Sequence, residues 1–260
     1  MQHEESFAWT GFYSELADKI AIYRRNRPEL IGIVQNVHER LGMRVPKLDA
    51  RELVDIDPFT VFGLFNKGIK DESRTDIAAG FASALHMHAK APTEFSGIPV
   101  LNNLAATFYR FEGERGPDDI ENLWKAFEAA LAYADSEGDA EKARLASAYD
   151  TVAAQKGIKW NLTMGLYWIR PCSYISLDGR NRWAIADQKL LDEECAAAVS
   201  ALKDLPDAAT YLEIRDLCRT AMDKPGSHFS GFPEFSSHAW SEAERVNEEN
   251  RKAKRAEVVD

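Results

Sequence analysis

Apolar residues recur at three- and four-residue steps along most of the chain, the period of a helix with one buried face. Phe7, Trp9, Phe12, Tyr13, Leu16, Ile20 and Tyr23 predict a helix from Ser6 to Asn26. Pro28 suits the first turn of a second helix, carrying Leu30, Ile31, Val34, Val37 and Leu41 and closed by Gly42. Asp57-Pro58 combines an N-cap with a proline at the first helical position, ahead of a Phe59, Phe62, Phe65 stripe that Gly68 could close. Asp71-Glu-Ser73 opens a helix to about His88, and Pro92 to Asn103 reads as a loop. The Gly116-Pro-Asp-Asp-Ile-Glu121 run starts a helix reaching Ala134, its carboxylates complementing the helix dipole, and Glu141 to Gln155 forms the next. Trp160 to Ile169 has helical spacing and is stopped by Pro171, before a short extended Tyr174-Ile-Ser-Leu177. Two further helices are expected at Gln188–Leu202 and Ala208–Met222, followed by an irregular apolar loop, Phe229–Phe235.

Hardly any segment alternates with the period of a strand. The expectation is a mainly α chain, a single multi-helix globular domain with at most a few short strands. Its core would occupy residues 1–235. Residues 236–260, with almost no apolar positions beyond Trp240, read as a charged helical linker toward a downstream domain.

Composition changes that picture little, and charge changes it more. The 260 residues are 45% hydrophobic and 10% aromatic, enough for a packed core. Net charge is −10, which argues against a protein that coats nucleic acid indiscriminately but leaves room for a local basic site. One window departs from the rest. Residues 156–183 hold Lys156, Lys159, Arg170, Arg180 and Arg182 against a single acid, Asp178, a local charge of +4 that leaves −14 for the remainder. Trp160, Tyr167, Trp168, Tyr174 and Trp183 lie among those bases. Cations interleaved with flat rings suit phosphates and stacked bases. The same pattern also describes a packed helix with basic side chains snorkelling from its ends.

Searches for catalytic signatures return little. The chain has no GxxxxGK[ST], HExxH, GxSxG or GxGxxG. No cofactor is implied. His86-Met-His88 reads as a surface pair, because residues two apart do not share a helix face, and no metal site is expected. Three cysteines without a CxxC pair fit reduced thiols in a cytoplasmic protein. No apolar run approaches membrane-spanning length, and Met1-Gln-His-Glu-Glu5 does not read as a signal peptide. The candidate DNA-binding residues are therefore Lys156, Lys159, Trp160, Arg170, Arg180, Asn181 and Arg182, with Asn66, Lys67, Asn102 and Asn103 as candidate loop contacts. The Arg180-Asn-Arg182 triplet is the preferred reader, two guanidiniums flanking an amide.

Four segments carry a resemblance to a known family: Asp57-Pro-Phe-Thr-Val-Phe-Gly-Leu-Phe-Asn-Lys-Gly68, Gly97-Ile-Pro-Val-Leu-Asn-Asn103, Asp119-Ile-Glu-Asn-Leu-Trp124 with Phe127-Glu-Ala-Ala-Leu131, and Lys159 to Pro171 with Leu177-Asp-Gly-Arg-Asn-Arg182. Over roughly residues 7–245 the chain resembles the N-terminal region of McrB-like proteins, the AAA+ motor subunits of modification-dependent restriction systems. That resemblance implies a non-catalytic, substrate-selecting module for modified double-stranded DNA, such as modified cytosine, in restriction or antiphage defence. It also implies a downstream AAA+ domain and a nuclease subunit as partners. These 260 residues lack the motor's P-loop, so its NTPase activity does not transfer to them. A weaker similarity, Gly157-Ile-Lys159 followed by a helix, Pro171 and Asp178, is to helix-hairpin-helix DNA glycosylases; it would make Lys159 the nucleophile and Asp178 its helper, although Ala154-Gln-Lys156 replaces the usual hairpin opening. A third reading is a protein–protein interaction module that docks a nuclease or phage partner, favoured by the acidic remainder and charged tail.

Overall fold

The structure, a computed structural model, describes residues 7–103 and 106–257. The expected helix start at Ser6, the acidic N-terminus before it and the last residues of the charged tail lie outside the described residues. Eleven α-helices are present among them: α1 (Trp9–Ala21), α2 (Arg27–Arg40), α3 (Pro58–Gly63), α4 (Asp71–Ala84), α5 (Asp119–Ser136), α6 (Asp139–Ala153), α7 (Asn161–Ile169), α8 (Gly179–Ala186), α9 (Glu193–Ser200), α10 (Ala208–Asp223) and α11 (Phe232–Glu257). A 3-10 turn, Ile22–Arg25, joins α1 to α2. The domain is mainly α, and its described residues hold no strand beyond one isolated parallel bridge, Lys67 to Leu101.

Two short helices form the centre. Every residue of α3 is buried, and so are Leu162 to Ile169 of α7. A helix apolar on all sides must be surrounded, and α7 packs against α1, α3 and α5. Aromatic rings fill the space between them. Trp168 stacks on Phe62 with centroids 6.5 Å apart, and its indole N–H donates to the Pro99 carbonyl at 3.1 Å. Phe59 stacks on Phe108 at 5.4 Å. Gly165 is needed here because a Cβ would come within 2.7 Å of the Phe59 ring. Burial of each such ring contributes roughly 1.5–3 kcal/mol.

Four helix starts carry a side-chain cap, Asp57, Asp178, Asp192 and Asp207. Of these Asp57 is the one the sequence predicts, whereas the start at Asp71 has no side-chain cap bond. Asp57 accepts from the Thr60 N–H at 3.1 Å. Several boundaries differ from the sequence reading. The first α-helix ends at Ala21 rather than Asn26, and the Phe-rich helix ends at Gly63 rather than Gly68. The fourth helix stops at Ala84 rather than His88, because His86 takes a left-handed conformation (φ 52°). The helix expected from Gln188 begins only at Glu193: Lys189 is left-handed (φ 51°), and the Asp192 carboxylate caps the Cys195 N–H at 3.0 Å. Phe229–Phe235 is not wholly a loop, since α11 starts at Phe232 with Pro233 in its first turn, where a missing N–H costs nothing. The boundary drawn at 235/236 therefore falls inside α11, and Phe235, Ser236 and Ala239 are all buried. From Ser241 onward α11 is largely exposed, laced with pairs such as Arg245–Glu249 at 2.6 Å.

Candidate functional site

The basic window does not form one surface. Its middle is α7, which is core: Tyr167 and Trp168 are buried, and so is Tyr174, whose hydroxyl donates to the Ala130 carbonyl at 2.6 Å. The bases emerge at either end and meet different fates. Arg170 turns back to the fold, pairing with Asp18 at 2.6 Å and Asp135 at 3.3 Å, with a side chain only 12% exposed. It is a structural cross-link rather than a DNA contact.

Arg180, Asn181 and Arg182 do not act as a surface triplet either. Asp178 caps an eight-residue helix that the apolar pattern does not announce, accepting from the N–H groups of Arg180 at 2.9 Å and Asn181 at 3.4 Å. Within that helix the three side chains diverge. Asn181 is 1% exposed, and its amide donates to the Ser176 carbonyl and the Ser236 hydroxyl, both at 2.9 Å. It ties α8 to α11 and cannot read a base edge. Arg180 pairs with Glu244 at 2.5 Å and lies over Trp240, 5.5 Å from the ring centroid. Arg182 sits 3.8 Å from the Trp160 centroid, and burial holds its guanidinium below the usual arginine range. Trp160, Arg180, Arg182, Trp240 and the Ile98–Val100 segment line an open groove of about 500 Å³. Asp178 borders this groove and Lys159 does not. The other Asp178 oxygen accepts from the Ser176 hydroxyl at 2.8 Å, so the carboxylate is fully engaged in capping.

A second concavity draws on neighbouring residues of the same two segments, Asn103 and Gly157. It has a volume of about 430 Å³ and is lined by Lys47, Lys67, Asn103, Tyr109, Arg110 and Gly157, among others. Gly157 is left-handed (φ 96°), and a Cβ there would fall 2.8 Å from Arg110 Nε. The Arg110 side chain therefore lies directly against the turn that carries Lys156 and Lys159. Lys67 reaches the pocket from the end of the Phe-rich α3 segment, placed by the bridge to Leu101. Asn103 is held beside it, its amide donating to the Gly68 carbonyl at 2.9 Å. Lys47, Lys67, Arg110, Lys156 and Lys159 have no carboxylate within ion-pair distance among the described residues. Arg24, Arg115, Arg170, Arg215 and Arg219 are paired. Scattered surface bases such as Lys19, Arg40, Lys90, Lys125 and Lys203 also have no ion pair among the described residues; what marks the five at this concavity is that they lie together. Lys67 is half-buried, and desolvation lowers its ammonium below the usual lysine range.

Of the four candidate loop contacts, Lys67 and Asn103 reach this pocket and Asn102 is exposed nearby. Asn66 does not contribute. It is fully buried, accepting from the Tyr13 hydroxyl at 2.6 Å and from Arg74 at 3.0 Å. The sequence reading missed Lys47, Tyr109, Arg110 and Phe111. Lys47 and Arg110 lie 63 residues apart, and neither stands in a charged run.

These features define an all-helical domain with a concave basic face in an acidic frame. A family model described as Domain of unknown function (DUF8425) matches residues 9–242, and the chain belongs to that family. No curated protein and no solved structure matches the chain.

Proposed function

We propose that this domain recognises nucleic acid without transforming it, as a substrate-selecting module of a McrB-like restriction or antiphage defence protein. The observation that carries the reading is the gathering of Lys47, Lys67 and Arg110, none of them in an ion pair among the described residues, around one concavity whose Gly157 turn is flanked by the exposed Lys156 and Lys159, in a chain of net charge −10. Cations gathered without ion-pair partners around one concavity are what phosphate contacts require, because each bound phosphate releases counterions. The adjoining groove adds Trp160 and Trp240 as stacking surfaces and Arg182 as a third kind of contact. Arg180 joins it only by giving up Glu244. In this reading modified double-stranded DNA is the ligand in the cytoplasm, and a downstream AAA+ motor and a nuclease subunit act on what the module selects.

Fluorescence anisotropy with modified and unmodified duplexes at several salt concentrations tests the proposal. Binding at about 50 mM salt that weakens steeply by 200 mM, with a preference among the duplexes, is the expected result. Absence of binding to every duplex at low salt overturns it.

A further inference from the structure

The pocket between Lys47, Lys67 and Arg110 is more closed than a duplex backbone contact needs, and its charge is more concentrated. Three cations border it against one carboxylate, that of Glu114. A volume of about 430 Å³ is the size of a small-ligand site and fits one nucleotide, whereas a duplex would only cross its mouth. Lys67 is the unusual member. A half-buried ammonium with no anionic partner has given up hydration without compensation. Tyr109 borders the same pocket, is 3% exposed and has a hydroxyl with no hydrogen-bond partner. A buried donor left unmatched beside such cations is uncommon in a folded interior. Phe111 supplies a ring at the wall, with the Lys47 ammonium 5.8 Å from its centroid.

From these features we infer that the pocket binds the phosphate monoester of a nucleotide-sized molecule, with Lys67 as the anchoring charge and Lys47 and Arg110 closing on the phosphate from the rim. A monoester carries nearly two negative charges near neutral pH, which matches three cations and one acid better than a singly charged internucleotide diester does. The inference deepens the nucleic-acid reading, on which it rests for the class of ligand. The same chemistry has two sources, a free nucleotide and the 5′-phosphate end of a strand.

The test uses the full chain. Calorimetry compares AMP with adenosine and inorganic phosphate, and anisotropy compares a single-stranded oligonucleotide bearing a 5′-phosphate with its 5′-hydroxyl counterpart. A phosphate-dependent gain that falls at least tenfold in Lys67→Gln and is unchanged in Lys125→Gln, on the exposed face of α5, supports the assignment. If the gain is seen with AMP the source is a free nucleotide; if only with the strand, it is a strand end. Should Lys67→Gln fail to fold, the exposed Lys47→Gln and Arg110→Gln carry the same comparison. The assignment is overturned if neither phosphomonoester binds more tightly than its hydroxyl counterpart, or if the gain survives all three substitutions. Binding of blunt 5′-hydroxyl duplexes, measured separately, reports on nucleic-acid recognition alone, so either idea can fall while the other stands.

Discussion

Arg182 and Trp160 lie face to face across the entrance of the aromatic groove, with the guanidinium carbon 3.8 Å from the indole centroid. The contact joins the first residue before α7 to the middle of α8, two elements separated by the buried Tyr174–Leu177 segment. Its Nε is buried without a partner, so this arginine is held by ring stacking and not by a carboxylate. A stacked guanidinium of this kind adds on the order of 1 kcal/mol where partly desolvated. Replacing Trp160 with Leu should free Arg182 and lower thermal stability by a few degrees, measured by calorimetry. It should also weaken single-stranded DNA binding more than the substitution Arg180→Gln does.

The salt response should distinguish bases that face solvent from those that hold the fold. Lys156→Gln and Lys159→Gln are each expected to reduce the slope of log affinity against log salt by about one. Arg170→Gln should leave the slope unchanged while lowering the denaturation midpoint, since it removes the partner of Asp18 and Asp135. Anisotropy and urea titrations on the same three variants make the comparison.

Asp178 should prove to be a cap. Loss of its side chain in Asp178→Ala removes the acceptor for two N–H groups at the start of α8 and is expected to cost about 1–2 kcal/mol. Asp178→Asn keeps a capping oxygen and should cost much less. Equal destabilisation by both substitutions in a chemical melt would contradict the capping role.

Glu121 ties α5 to the turn before α2. It accepts from Arg24, at 2.9 Å in one of the two contacts, and from Arg27. Hydrogen bonds from Arg24, then from Arg27, depress its carboxyl from the usual range to about 2. A depressed acid stabilises the fold above its unfolded value, near 4.5, and that contribution disappears as pH falls toward 2. The wild type should therefore lose stability between about pH 4.5 and pH 2, and Glu121→Gln should show a flatter acid limb. The Glu121 side chain is about one-third exposed, so solvent screening limits its contribution at neutral pH to roughly 1 kcal/mol.

Gly97 should not tolerate a side chain. Its φ is +77°, and a Cβ would lie 2.4 Å from the Ser237 nitrogen in α11. Gly97→Ala is expected to push the Ile98–Val100 segment off α11 and to destabilise by about 2–3 kcal/mol, measured by thermal melting. The groove between them should open, raising Trp240 exposure to a collisional fluorescence quencher.

Local signals were enough to read the helical character of the chain and many of its boundaries. Asp57-Pro58, Pro117 and the three- and four-residue apolar steps of α1 and α5 are properties of short windows, and windows of that length carry cap chemistry and periodicity. The candidate site was legible only in part. Lys67, Asn103 and Trp160, candidates in the sequence, line the two concavities, and the exposed Lys156 and Lys159 flank the Gly157 turn beside them. Arg170, Asn181 and Asn66 were singled out for the same reasons and are buried or paired. Nothing in residue type separates an arginine that meets Asp18 from one that meets solvent, because that acid lies 152 positions away.

By itself the sequence determined that the chain is helical, that it buries an aromatic core and that positive charge is concentrated in one stretch of an acidic protein. Helix caps and apolar period act over a few residues, so they survive in one dimension. Only the tertiary structure decided which of those charges remain unpaired. Packing α7 into the core sent Arg170 to one side of the domain and the Gly157 turn to the other, where it met Arg110, Lys67 and Lys47 from distant segments. Ion pairing and burial depend on distance in space, and the sites they leave open are assembled only when the helices close on one another.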